Sequence, residues 1–333
     1  MFMHMTAVHK TVQKRYDVVT LGEPLICLTA PSGRLQAARS LVKSVAGAES
    51  NLAIGLARLG RTVAMLTRVG ADPFGDEIVR TLRGEGVETQ WVAREHTAPT
   101  GVMIKERRGP DDIHVYYYRQ SSAAARLCAA DLPAEAVEQA ARVHVTGITL
   151  ALGEGPREAV DELLRLANEH RVPVSFDPNF RLKLWSVREA AQACASLLPS
   201  ISDLLVGEDE LVAMADVSGA KPDLEGALEW LEDFDLNSTV VKRGADGVIG
   251  VRGGERYARP AYPVGSLVDT VGAGDAFNAG FLHASLDGDS FKSALDVGCW
   301  VASRVVSHFG DYEGLPEASE YTAYCDAEET IQR

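Results

Sequence analysis

Asp269-Thr270-Val271-Gly272-Ala273-Gly274-Asp275-Ala276-Phe277-Asn278-Ala279-Gly280-Phe281 opens a helix on two glycines and delivers one carboxylate in its first turn. Gly272 and Gly274 let the backbone bend tightly and approach a ligand closely. The first-turn amides from Ala273 to Asp275 have no intrahelical partner and concentrate positive potential, so the turn suits an anion. With a substrate hydroxyl beside Asp275 and a terminal phosphate over those amides, the stretch would hold a base and an anion hole for phosphoryl transfer. The plainer alternative, an acid that caps its own helix, stays open on this stretch alone.

Outward from this turn, strand-like and helix-like patterns alternate. Residues 18–22, 63–69, 143–147, 172–177, 204–206 and 239–242 have the character of buried strands, and 74–84, 156–170, 187–197 and 223–234 that of helices. The alternation predicts an α/β fold with a mainly parallel central sheet, helices on both faces and ligands at the carboxyl ends of the strands. Asp177, Glu208, Lys242 and Asp275 all lie at or just beyond such ends and are expected to converge. Segments 24–45 and 98–122 carry strand patterns without intervening helices and are expected to form a small β-sheet lid. Within Ile113-His114-Val115-Tyr116-Tyr117-Tyr118-Arg119, a period of two puts Val115, Tyr117 and Arg119 on one face and Tyr116 and Tyr118 on the other. Ordinary sheet packing and a covered second face are both open for the latter pair. The expected organisation is a flexible lead-in over 1–15, one α/β domain over 16–320 and a tail over 321–333.

Composition narrows the function classes. At 333 residues the chain is long enough for a sizeable core, and 46% hydrophobic with 24% charged residues is ordinary for a soluble protein. A net charge of −14 repels nucleic acid and anionic membranes, so neither is an expected partner and any anion site must be locally basic. No apolar run approaches the roughly 20 residues that span a bilayer, and the first residues lack the apolar block of a signal peptide, so a cytoplasmic location is expected. Five cysteines without CxxC spacing fit scattered reduced thiols better than a disulfide scaffold or zinc site. The local signatures of P-loop ATPases, Rossmann dehydrogenases, zincins and α/β-hydrolases are all missing, so a phosphate would have to be bound another way.

The 269–281 stretch closely resembles the C-terminal signature of the ribokinase-like sugar kinases, the PfkB family. Three further segments resemble the same family in the same order. Ala46-Gly47-Ala48-Glu49-Ser50-Asn51 is similar to its first substrate-binding turn, Thr67-Arg68-Val69-Gly70-Ala71-Asp72-Pro73-Phe74-Gly75 to its strand-to-helix signature, and Val240-Val241-Lys242-Arg243-Gly244-Ala245-Asp246-Gly247 to its nucleotide-side strand and turn. The resemblance spans about 18–316 and implies a ribokinase-like fold, with ATP and Mg2+ as cofactors. It assigns Asp275 as catalytic base, with Gly272, Ala273 and Gly274 forming the anion hole. Gly47 and Asn51 would contact the sugar, and Asn179, Lys242, Gly244, Ala245, Gly247, Gly272 and Gly274 the nucleotide. Glu210 would hold the metal through water, although the family's usual Asn is Gly207 here. Asp269 and Val271 would flank a monovalent cation, with K+ left open.

Tyr116-Tyr117-Tyr118-Arg119 and the run from Phe176 to Trp185 look most like 2-keto-3-deoxygluconate kinases within that family. That acceptor carries a carboxylate, which guanidinium groups bind in bidentate fashion, and Arg119 and Arg181 are the candidates, with Tyr117 beside them. The implied reaction transfers the γ-phosphate of ATP to the terminal hydroxyl, giving the 6-phosphate. Competing acceptors are 5-keto-2-deoxygluconate, fructose, ribose or a nucleoside. A sugar- or nucleotide-binding regulator without catalysis is the alternative outside the enzymes. Lids of this family often clasp a second copy, which implies a homo-oligomer. An Ala-Asp-Gly turn such as Gly244 to Gly247 also simply joins two strands in many proteins.

Overall fold

Successive side chains on a buried strand point to opposite faces, and here they sort into two cores. Val19, Leu66, Leu204 and Val241 belong to one hydrophobic cluster, whereas Val18, Met65, Leu205 and Val240 belong to another. A sheet with both faces covered by helices follows, and the computed structural model of the chain, which describes residues 14–30, 33–108 and 113–331, has that architecture.

The strands in chain order are β1 (Tyr16–Leu21), β2 (Leu25–Thr29), β3 (Val42–Ala46), β4 (Val63–Gly70), β5 (Val92–Glu95), β6 (Val102–Arg107), β7 (Ile113–Tyr118), β8 (Ala140–Thr146), β9 (Val174–Asp177), β10 (Asp203–Gly207), β11 (Ser238–Lys242), β12 (Val248–Arg252) and β13 (Glu255–Arg259). Nine form the central sheet in the order β13-β12-β11-β10-β9-β8-β1-β4-β5. The pairs from β11 through to β5 are parallel, while β12 and β13 close one edge antiparallel. The turn after Lys242 therefore does join two strands, the plainer of its expected roles.

The remaining four strands form a separate sheet, β3-β2-β6-β7, within the two segments expected to make the lid. Thr100, at the entry to β6, donates its amide to Asp72 Oδ2 at 2.8 Å, and Asp72 Oδ1 caps the helix Pro73–Gly84 by accepting the Gly75 amide at 2.8 Å. The lid is thus anchored to a helix start.

One boundary differs from expectation. The helix Ala318–Ile331 runs through the boundary placed at 320, and Tyr324 stacks on Trp300 with ring centroids 4.7 Å apart. Residues 321–331 are thus part of a docked helix, which its low apolar content concealed. The lead-in lies outside the described residues except for Lys14 and Arg15. All five cysteines are free, and no helix among the described residues is long and apolar enough to cross a membrane.

Candidate active site

Strand register collects the polar ends. Thr146 pairs with Asp177 across β8 and β9, and Gly207 pairs with Lys242 across β10 and β11. Lys242 reaches over the intervening strand to Asp177, Nζ to Oδ2 2.6 Å. Asn278, one turn into the helix Ala273–Asp287, donates to the same oxygen at 2.6 Å. Asp177 is 1% exposed, so these two donors supply the solvation it lost on burial.

Asp275 stands at the centre. Its Oδ2 accepts from Asn51 Nδ2 at 2.9 Å and its Oδ1 from Asn179 Nδ2 at 3.3 Å, fixing the carboxylate from two sides. Burial pushes its pKa up, the charge of Arg181 and the Asn51 hydrogen bond oppose that shift, and the nearby Asp177 adds to it. A buried carboxylate held this way is a better proton acceptor than a solvated one. Asn179 adopts a left-handed backbone, φ 42°, and points its amide at Asp275.

The helix carrying Asp275 starts at Gly272, φ 81°, with no side chain capping its amides. A Cβ at Gly272 would lie 2.3 Å from the carbonyl oxygen of Asp311, so both the conformation and the space demand glycine. The Ala273 amide leans on the Thr270 carbonyl at 3.4 Å, while those of Gly274 and Asp275 lie in the first turn where no helical acceptor exists. A Cβ at Gly274 would lie 3.7 Å from Lys242 Nζ, placing a positive charge beside those amides.

Two cavities meet here. One, about 470 Å³, is lined by Gly47, Asn51, Tyr117, Arg119, Arg181 and Asp275 among others. The second, about 580 Å³, is walled by Gly244, Ala245 and Gly247 on one side and by Cys299, Ala302 and Ser303 on the other. Lys242, Thr270 and Gly274 line both. The anion turn therefore sits at the junction of two compartments, the arrangement a group transfer between two ligands needs.

Several expected residues have environments that were not anticipated. Arg119, 6% exposed, donates from Nε to Glu23 Oε2 at 2.6 Å and lies over the Tyr117 ring, 5.4 Å from its centroid. Glu23 also accepts from Ser122 at 2.5 Å. Arg119 is thus already neutralised, whereas Arg181, half-buried in the same cavity, has no carboxylate within 4.0 Å among the described residues. Glu210 accepts the Phe180 amide at 2.6 Å and the Gly207 amide at 2.9 Å, and burial together with the Asp177 charge raises its pKa. Both its oxygens are already engaged, so it suits a metal's water better than direct ligation. Among the described residues no cluster of three or more His, Cys, Asp or Glu could hold a metal ion. Glu208 pairs with Arg243 at 2.5 Å and does not line the cavity, so it does not converge with the other three as expected.

Glu23, Glu49, Lys105, Asp311 and Asn278 received no role from sequence. Glu49 accepts from Thr146 at 2.6 Å and Thr149 at 3.0 Å, and burial pushes its pKa up to about 7.

This site, two cavities joined at a glycine-lined anion turn with a buried acid, defines a phosphotransferase-like arrangement. Residues 16–318 match the family model of the pfkB family carbohydrate kinases. The chain belongs to this family, and is a kinase of the class that phosphorylates an alcohol group. It is 37% identical to the 2-dehydro-3-deoxygalactonokinase of Haloferax volcanii, over 89% of this chain and 92% of that one. It is 32% identical to the 2-dehydro-3-deoxygluconokinase of Bacillus subtilis, over 96% and 98%. The crystal structure of a PfkB protein from Polaromonas sp. JS666 superposes with a TM-score of 0.83 at 32% identity, covering 92% of this chain and 99% of that one.

Proposed function

We propose that the chain transfers the γ-phosphate of ATP to the terminal hydroxyl of 2-keto-3-deoxygluconate, the 2-dehydro-3-deoxygluconate of the relatives' names, giving the 6-phosphate. The observation that carries this is Arg181: a guanidinium with no carboxylate within 4.0 Å among the described residues, in the cavity that contains Asp275. An acidic sugar whose carboxylate meets Arg181 has its far hydroxyl free to reach Asp275. Arg119, held by Glu23, shapes the wall with Tyr117.

In the reaction, the hydroxyl oxygen bonds to the γ-phosphorus, the bond to the bridging oxygen breaks and ADP leaves, while the hydroxyl proton passes to Asp275. The amides of Gly274 and Asp275, with Lys242 beside them, take the charge on the transferring oxygens. Asn51 and Asn179 keep the Asp275 lone pairs directed. The second cavity, between the 244–247 turn and the helix Phe291–Val306, takes the nucleotide. Glu210 is the residue that would hold magnesium through water, and the ion would supply charge neutralisation there.

A second acceptor, 2-keto-3-deoxygalactonate, is favoured by the 37% identity to the Haloferax kinase and differs at one stereocentre. A cytoplasmic location, where ATP and reduced thiols coexist, goes with this activity. Tyr118 at 66% exposure, Tyr116 at 39% and Val42 at 50% on the lid sheet support a homo-oligomer formed through the lid.

The test is ADP production from Mg-ATP with both acids, 5-keto-2-deoxygluconate, fructose, ribose and adenosine in parallel. Preference for 2-keto-3-deoxygluconate is the expected result. Preference for a neutral acceptor would overturn the role given to Arg181, and binding without turnover on any would move the chain to the non-catalytic regulators.

A further inference from the structure

Lys105 lies on lid strand β6 but does not end in the lid. It is 1% exposed, and its Nζ is 2.7 Å from Asp311 Oδ1 and 3.6 Å from Asp269 Oδ2. Those carboxylates bracket the anion turn. Asp269 Oδ1 accepts the Val271 amide at 3.1 Å, and its Oδ2 is buried without a hydrogen-bond partner. Asp311 presses its backbone carbonyl against Gly272, the residue that starts the catalytic helix. Two buried carboxylates this near one another repel strongly unless a cation lies with them. The Lys105 ammonium is the cation that lies with them, within ion-pair distance of both carboxylates.

We propose that the Lys105 ammonium serves as a built-in monovalent cation, a positioning residue that holds the 269–275 turn in its anion-binding shape and ties that shape to the lid. It takes the charge that the sequence resemblance left to K+. The same strand pair carries the link to the acceptor. In the β6–β7 register Lys105 faces Val115 and Met103 faces Tyr117, and all four line the acceptor cavity. A lid strand displaced by the acceptor would move Lys105 relative to Asp269 and Asp311, and so the turn. The catalytic part of this inference rests on the kinase reading above, whereas its structural part does not.

The consequence is an enzyme indifferent to inorganic monovalent cations that becomes responsive when the lysine is removed. Turnover of the wild type should change by less than about 2-fold when choline replaces K+ or NH4+ as the buffer cation. Lys105→Met keeps the length and removes the charge. In choline its kcat should fall by about 10-fold or more, with acceptor KM moving less, and NH4+ or K+ should restore several-fold of it. The melting temperature of Lys105→Met should rise saturably with NH4+ or K+ while that of the wild type stays level. This readout needs no acceptor and so separates failure of this inference from failure of the substrate assignment. Should Lys105→Met not fold, the double variant Lys105→Met/Asp311→Asn, with one buried carboxylate fewer, carries the same melting test. A wild type that requires K+, or variants whose turnover and melting ignore these cations, would overturn the proposal.

Discussion

Replacing Arg181 by Met should separate acceptor recognition from chemistry. Arg181 lines the same cavity as Asp275, and its charge is the largest influence opposing the rise of the Asp275 pKa. A hydrogen-bonded contact between charged groups contributes about 1.5–3 kcal/mol. At about 1.4 kcal/mol per factor of ten, that corresponds to about 10- to 150-fold in kcat/KM. The half-buried position favours the lower part, about 10- to 50-fold, since water screens part of the contact. Most of the loss should fall on acceptor KM, with the KM for ATP within about 2-fold. A second effect follows from the same geometry. Without Arg181 the burial shift of Asp275 is less opposed, so its pKa rises further. A base works only when ionised, so activity falls as pH drops through that pKa, and the acid limb of kcat/KM should move to higher pH. A coupled ADP assay with varied acceptor, then varied ATP, across about pH 5–8 reads both effects. An unchanged acceptor KM with a raised ATP KM would place Arg181 on the nucleotide and refute the reasoning.

Arg119→Met should act on stability more than on recognition, because it leaves Glu23 buried without its counter-charge. The expected loss is about 3–5 kcal/mol by chemical denaturation, part of it recovered in Arg119→Met/Glu23→Gln; a stable Arg119→Met with a large rise in acceptor KM would restore a direct carboxylate contact. Glu49 gives a pH test. Its pKa is about 7 in the fold against 4.5 for the free side chain, so between those values the native state holds a proton that the unfolded chain has released, and stability falls as pH rises. Relative to Glu49→Gln, the wild type should lose about 3 kcal/mol between about pH 4.5 and 7. His144 and His283, both pushed down to about 4 by burial, work in the opposite direction over the same range, so the difference between the two proteins is the informative curve. A flat difference would mean that Glu49 stays ionised throughout.

The parts of this site that were legible in the sequence are those whose meaning is local. Gly272, Gly274 and Asp275 announce an anion turn because their geometry is set within one helical turn, and the strand alternation announces the sheet because burial repeats every second residue. The opaque parts are contacts across long separations. Glu23 and Arg119 lie 96 residues apart, and Lys105 and Asp311 lie 206 apart. Nothing in either segment marks its charged residue as buried, and Lys105 in particular resembles any polar residue on a half-exposed strand. Arg119 was legible as an arginine in the site, but its pairing with Glu23 was not, because that carboxylate comes from a distant segment. The edge pair β12 and β13 and the helix Ala318–Ile331 escaped because short or weakly apolar elements carry little periodic signal.

In the proposed reaction Asp275 takes the acceptor's proton at the anion turn. Steady-state turnover of Asp275→Asn with Mg-ATP and 2-keto-3-deoxygluconate tests it most directly, since the amide keeps the shape and its oxygen can still accept from Asn51 or Asn179. An unchanged fold and ATP affinity with kcat lower by at least about 10²-fold is the expected result. Turnover near that of the wild type would contradict it.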